Sequence, residues 1–447
     1  MKKNPIFIGL LALLLTGASA PVRGQDNRVL SLTLEECLRL ALDQNPLYLA
    51  SQERIAGAQA QLRQAASGFF PQLTANGMHT LDEKLFVLEF PSFIPGQPPT
   101  RMALDFTKDY QFSMSLTVPL FAGGRLLAGY KQAAYNMEAT KETVRQSRQD
   151  TVFNVKSGFY GYLLAREFVA VSEEALALAE KHRKNIKDLY DLGMASKFDL
   201  LRAEVQVTNL KPPLLRARNG LALAELGLKS LLGLDLKQPV EIKGRLAYTA
   251  AEPDLEACTA QALLKRPELN QMLYQKRMAA EMVKLARGAY LPTLAISGAY
   301  NYWADAFNFK KNTWQNYYSV NLVLSVPLFN GFATAAQVGQ AQALWRELEQ
   351  THKGLVDMVR LEVRQAVLNL NQARESLRSL EKNVEQAQES VRIAELNYAQ
   401  GLATSLDVSS VQVALTQAKT NYSQALFDYV LSLAQLQRAT GEDEPGK

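Results

Sequence analysis

Cysteine is nearly absent from this chain. Cys37 and Cys258 are the only two in 447 residues, and there are only three histidines, His79, His182 and His352. Two thiols cannot build a disulfide-stapled scaffold, and the scattered histidines show no metal-ligand spacing. Long apolar runs are also missing. Residues 6–15 form a run too short to cross a bilayer, and nothing after it reaches 18 apolar residues. A membrane-spanning helix is excluded on that ground, so any passage through a membrane must use β-strands. Charge of one sign is scarce. The 49 Lys and Arg exceed the 44 Asp and Glu by only five, too mild an excess to point to nucleic acid. Proline is missing where it would stop a helix: none lies between Pro119 and Pro212, nor between Pro327 and Pro445. "GFFPQ" and "FAGGR" lack the lysine of a phosphate loop. The sequence therefore predicts no enzyme: no catalytic, cofactor-binding or metal-ligating residues, and no nucleic-acid partner.

Lys2 and Lys3, the short apolar run and Ala18-Ser19-Ala20 read as a secretory signal over residues 1–20. Beyond it the chain repeats itself. "GFFPQLTANG" at 68–77 matches "AYLPTLAISG" at 289–298, placing Pro71 and Pro292 221 residues apart. "LTVPLFAGG" at 116–124 matches "LSVPLFNGF" at 324–332, with a spacing of 208. The change of spacing leaves extra residues in the first half, in the proline-rich 84–103, which reads as a long exposed loop. The duplication gives two structural repeats, 21–250 and 251–436, and a short tail, 437–447. Cys37 and Cys258 occupy equivalent positions, which favours two small buried residues over a disulfide.

Each repeat carries long helical runs. Leu370, Ala373, Leu377, Leu380, Val384, Ala387, Val391, Ala394 and Tyr398 advance by threes and fours, the spacing of a coiled-coil seam. Leu200, Ala203, Val207, Leu210 and Leu214 do the same, although Pro212 and Pro213 should kink or break that helix. Thr33 and Glu36 spell a capping box at the start of "LTLEECLRLALDQNP". Strand patterns are equally regular. Tyr110, Phe112, Met114, Leu116 and Val118 alternate with Gln111, Ser113, Ser115 and Thr117, and similar faces occur near 73–81, 294–302 and 318–326. One face is apolar and aromatic and the other small and polar, the pattern of a membrane β-barrel. Tyr300, Tyr302, Trp303, Trp314, Tyr317 and Tyr318 read as an aromatic belt at a membrane interface. Four strands cannot close a barrel. Two chains give eight, whose interior side chains fill. Three chains give twelve, the least that leaves a conduit.

One short motif occurs twice: "YDLGMASKFD" at 190–199 and "YAQGLATSLD" at 398–407. Gly193 and Gly401 can end a helix in left-handed geometry. Ser196 and Thr404 can cap the next helix, and Asp199 and Asp407 stand at the dipole-favoured third position. A tight αα-hairpin used twice explains the motif without further function.

The signal, "LTLEECLRLALDQNP", the paired "VPLF-x-G", the strand pairs 72–118 and 293–326, and the two hairpins together resemble the TolC family of outer-membrane efflux proteins. The resemblance covers essentially the whole mature chain. It implies a mainly α fold with membrane β: duplicated helical hairpins forming a periplasmic α-barrel, and four strands per chain in a trimeric 12-stranded outer-membrane barrel. It implies a mixed equatorial belt from 237–265 and the chain ends. It also implies a homotrimer in the bacterial outer membrane, in contact with its lipid and reaching into the periplasm. The partners would be a periplasmic adaptor and an inner-membrane pump, for which the trimer is the exit duct of efflux or type I secretion. The alternatives, a periplasmic adaptor or a structural coiled-coil protein of the envelope, do not call for membrane-type strand pairs beside two hairpins. By the same resemblance Tyr398 and Asp407, with Tyr190 and Asp199, are pore-gate residues. Gly193, Met194, Ala195, Ser196, Gly401, Leu402, Ala403 and Thr404 are the adaptor-docking tips. The family's gate arginine is replaced by Ala403, and a second aspartate by Ser410.

Overall fold

The computed structural model describes residues 29–82, 86–104, 109–308, 310 and 313–443. The expected signal, 1–20, lies outside the described residues. Two helices of equal length dominate: α3 (Arg125–Asp191) and α7 (Ala333–Ala399), 67 residues each. At 1.5 Å per residue each is about 100 Å long. Each turns back into a helix half as long, α4 (Lys197–Leu232) and α8 (Ser405–Ala439). Helix α8 runs three residues into the segment read as a tail. The seams are apolar as expected: Leu370, Ala373, Leu377, Val391 and Ala394 of α7 and Val408, Leu415, Ala418 and Tyr429 of α8 are buried. Alanine and valine at these positions let the helices approach closely.

Pro212 and Pro213 do not end α4, which continues unbroken to Leu232. Their missing N–H groups cost the carbonyls of Thr208 and Asn209 their helical donors. Both of those residues are exposed, so water can serve their carbonyls, while buried Val207 and Leu214 hold the helix against α3.

Shorter elements wrap the middle of the long helices. β1 (Leu30–Leu32) pairs in parallel with β6 (Val240–Ile242). Helix α1 (Leu34–Gln44) begins with the expected capping box between Thr33 and Glu36. Asn45 then caps α2 (Pro46–Ser67), and its amide donates to the Leu231 carbonyl at the end of α4. In the second half α5 (Leu255–Lys265) likewise leads into a helix that opens on proline, α6 (Pro267–Gly288), but Arg266 gives it no side-chain cap. The main core lies here, with Cys37, Leu163, Leu232, Val363, Leu370 and Tyr429 almost fully buried. The two cysteines are free. Cys258 is only half-buried, against the expectation that both are buried, because it packs against the margin of the core cluster rather than within it.

Four strands form one antiparallel sheet in the order β2-β5-β7-β8: β2 (Gln72–His79), β5 (Tyr110–Ala122), β7 (Thr293–Ala304) and β8 (Gln315–Ser325). The register joins the two repeats and sorts the side chains. Leu73, Leu116, Gly298 and Val320 form one row across the sheet, and Ala75, Met114, Tyr300 and Tyr318 the next on that face. The opposite face carries Thr74, Ser115, Ala299 and Ser319. A one-residue slip would exchange the faces, so the alternation itself fixes the register. The aromatic group divides between them: Tyr300, Tyr302 and Tyr318 stand on the apolar face, Trp303 and Tyr317 on the polar one. Adjacent strand positions point to opposite faces, so these five residues do not form one belt, and Trp314 lies just before β8.

The proline-rich 84–103 is not a plain loop. β3 (Phe86–Phe90) and β4 (Thr100–Leu104) make a separate antiparallel hairpin. Pro91, Pro95, Pro98 and Pro99 all lie in its turn, where no ladder N–H is required. Sheet and helices meet at an unusually close backbone crossing. A Cβ on Gly123 would collide with the Gly288 carbonyl oxygen, and one on Gly288 with the Gly123 carbonyl oxygen.

Candidate functional site

The repeated motif forms the turn at the far end of each long hairpin. In the first, Gly193 has φ +74°, its N–H donates to the Tyr190 carbonyl (2.9 Å), and the Met194 N–H donates to the Leu189 carbonyl (2.8 Å). In the second, Gly401 has φ +78°, with the equivalent bonds to Tyr398 (3.0 Å) and Asn397 (2.8 Å). Both are Schellman caps, in which the left-handed residue is glycine because a Cβ is strained there. The next helix starts at once. Ser196 Oγ accepts from the Asp199 N–H, and Thr404 Oγ1 accepts from the Asp407 N–H. Asp407 Oδ2 in turn accepts from the Thr404 N–H (2.8 Å) and hydroxyl (2.6 Å). These hydrogen bonds hold the Asp407 carboxyl below the usual carboxylate range. One of its oxygens is thus committed to the cap.

The two tips enclose a groove of about 850 Å³ between α3 and the second turn. Of the expected site residues, Tyr398, Met194, Gly401 and Ala403 line it. Tyr190, Asp407 and the remaining tip residues do not. Burial, and then the charge of Asp199, push the Tyr398 phenol up. Leu192, Met194 and Leu402 are about three-quarters exposed at the ends of the turns.

His182 is the residue that the sequence reading passed over. It is buried on α3, its Nε2 lies 3.1 Å from the Ser405 hydroxyl, and its ring meets Tyr398 edge-on at 5.2 Å. It therefore ties the second tip to the first hairpin. A signal was present. Ala175, Ala179, His182 and Ile186 are all buried at steps of four, three and four, which puts a polar ring on a seam position. Burial lowers its pKa, with Ser405 and the Glu395 charge opposing that shift. The duplication supplies no second copy: the positions equivalent to His182 and Ser405 are Ser390 and Lys197.

Known proteins share this construction. TolC of Vibrio cholerae is 25% identical over 66% of this chain and 68% of its own length. The alkaline protease secretion protein AprF of Pseudomonas aeruginosa is 26% identical over 75% of this chain and 72% of its own. The outer membrane protein VceC of Vibrio cholerae superposes with a TM-score of 0.74 at 18% identity, covering 91% of this chain and 96% of the other. The fold is the mainly α, part membrane-β architecture of these outer-membrane channels, and the chain is an outer-membrane protein that reaches into the periplasm. The family profile described as outer membrane efflux protein matches 37–234 and 259–442 as two blocks, one in each half of the duplication. A chain with this sheet, these doubled hairpins and that match belongs to the outer membrane efflux protein family, whose members are channels rather than enzymes.

Proposed function

We propose that three copies of this chain form the exit duct of a tripartite efflux or type I secretion system. Substrates handed over by an inner-membrane pump and a periplasmic adaptor would pass through it passively. The observation that carries this reading is the sheet. Four strands with one apolar and one small polar face cannot close alone, and open edges are not tolerated in lipid. Surface area supports association. The chain exposes 29806 Å², whereas a compact monomer of its mass exposes about 17,000 Å². Leu201, Val205, Leu361 and Leu368 lie exposed along the helices and are available to neighbouring copies.

The tips are the mouth of the duct in this proposal. Tyr190, Asp199, Tyr398 and Asp407 gate it, and residues 193–196 and 401–404 meet the adaptor, with the exposed apolar turns as docking points. His182 takes over part of the closing role for which Ala403 and Ser410 offer no charge. The test is direct. Outer-membrane extraction should yield a heat-resistant trimer that conducts in planar bilayers. A monomer, or an oligomer without conductance, rejects the duct.

A further inference from the structure

A second cavity, of about 420 Å³, lies between α6 and α7 within one protomer. Its rim carries Lys284, Arg287 and Arg346, with Trp345 and Gln342 beside them. Lys284 is paired with Glu281 at 2.7 Å. Neither Arg287 nor Arg346 has a carboxylate partner among the described residues. We infer that this cavity binds a phosphate-bearing anion, held by the two guanidinium groups and the ammonium.

Location supports the inference. Arg287 is in the last turn of α6, six residues before β7 starts at Thr293. Tyr290 and Leu291, between the two, are about half exposed. The cavity therefore sits just below the foot of the membrane sheet, where arginine and tryptophan reach headgroups from the water side. A guanidinium offers paired N–H donors that fit phosphate oxygens. The duplication provides an internal control. The positions equivalent to Lys284, Arg287, Trp345 and Arg346 are Arg63, Ala66, Met137 and Glu138. There the groove between α2 and α3 is bridged by a 2.9 Å bond from Asn136 to Gln61. The fold does not need a basic cavity at this level, since its other copy lacks one.

A phospholipid headgroup of the inner leaflet and a soluble phosphate share this chemistry, and one experiment separates them. Native mass spectrometry of the detergent-purified oligomer would compare retained phosphatidylglycerol with retained phosphatidylcholine, with and without excess inorganic phosphate. The wild type should favour phosphatidylglycerol by about tenfold, the worth of one charge-assisted contact. Arg287→Gln/Arg346→Gln should lose that preference, and Arg287→Lys/Arg346→Lys should keep most of it. Arg63→Gln, at the equivalent position, should change nothing. Retention that resists inorganic phosphate identifies the lipid as the source, and retention that yields to it identifies a soluble anion in the same cavity. Undiminished preference in the double glutamine variant, or an equal loss in Arg63→Gln, overturns the site.

Discussion

His182 shows how much one seam position can carry. A neutral ring fits its buried site beside Ser405 and Tyr398, while a protonated one would bring charge into that site at a desolvation cost. Because burial lowers its pKa in the folded protein, the contact is complete above the ordinary histidine value near 6.5. It weakens as pH falls from there toward the lowered folded value, since the open or unfolded form then binds the extra proton. Channel opening in planar bilayers should therefore rise as the pH falls below about 6.5. His182→Gln, which keeps a hydrogen bond but cannot titrate there, should flatten that response. An unchanged pH profile in the variant removes His182 from the closing network. Asp407 poses a different question, because the helix cap already accounts for it. Asp407→Ala should lower local stability by removing the N3 half of the capping box on Thr404. If three carboxylates also ring the mouth, it should lower cation selectivity in reversal-potential measurements. Unchanged selectivity leaves Asp407 as a cap alone.

At the scale of elements, α4 alone of the four tip-forming helices carries prolines in its interior, Pro212 and Pro213. Each interior proline costs about 3 kcal/mol relative to alanine in an exposed helix. Pro212→Ala should raise the thermal midpoint of the oligomer and slow hydrogen exchange around Thr208 and Asn209. A lower midpoint would mean that the proline is needed where it stands. The same segment shows what the sequence could tell and what it could not. Heptad spacing located α4, α7 and α8, a long proline-free run located α3, and alternation located the four sheet strands, because both periodic patterns are set by burial on one face. Pro212 and Pro213 misled because a proline's cost depends on whether the orphaned carbonyls reach water, which is a tertiary fact. The β3–β4 hairpin was missed because prolines in its turn masked two five-residue strands. His182 was missed because a lone histidine on a helix carries no motif. Its partners, Tyr398 and Ser405, are more than 200 residues away in sequence.

In the whole molecule, the membrane sheet and the tips are separated by the length of α3 and α7, so the two ends can be altered independently. Gly401→Trp places a bulky side chain at a left-handed residue with open space around it. It should abolish efflux by blocking adaptor docking while leaving the heat-resistant trimer in the outer membrane. Susceptibility assays and gel mobility read the two effects separately, and intact efflux would reject the docking assignment. The crossing of Gly123 and Gly288 has a mechanical consequence. With no side chain between the two backbones, the base of α3 is a fulcrum rather than a cushion. A lever about 100 Å long magnifies any pivot there, so a tilt of about 5° displaces the far end by about 9 Å. In the proposed duct, opening the tips would then need little deformation anywhere, and the membrane end could stay still while it happened.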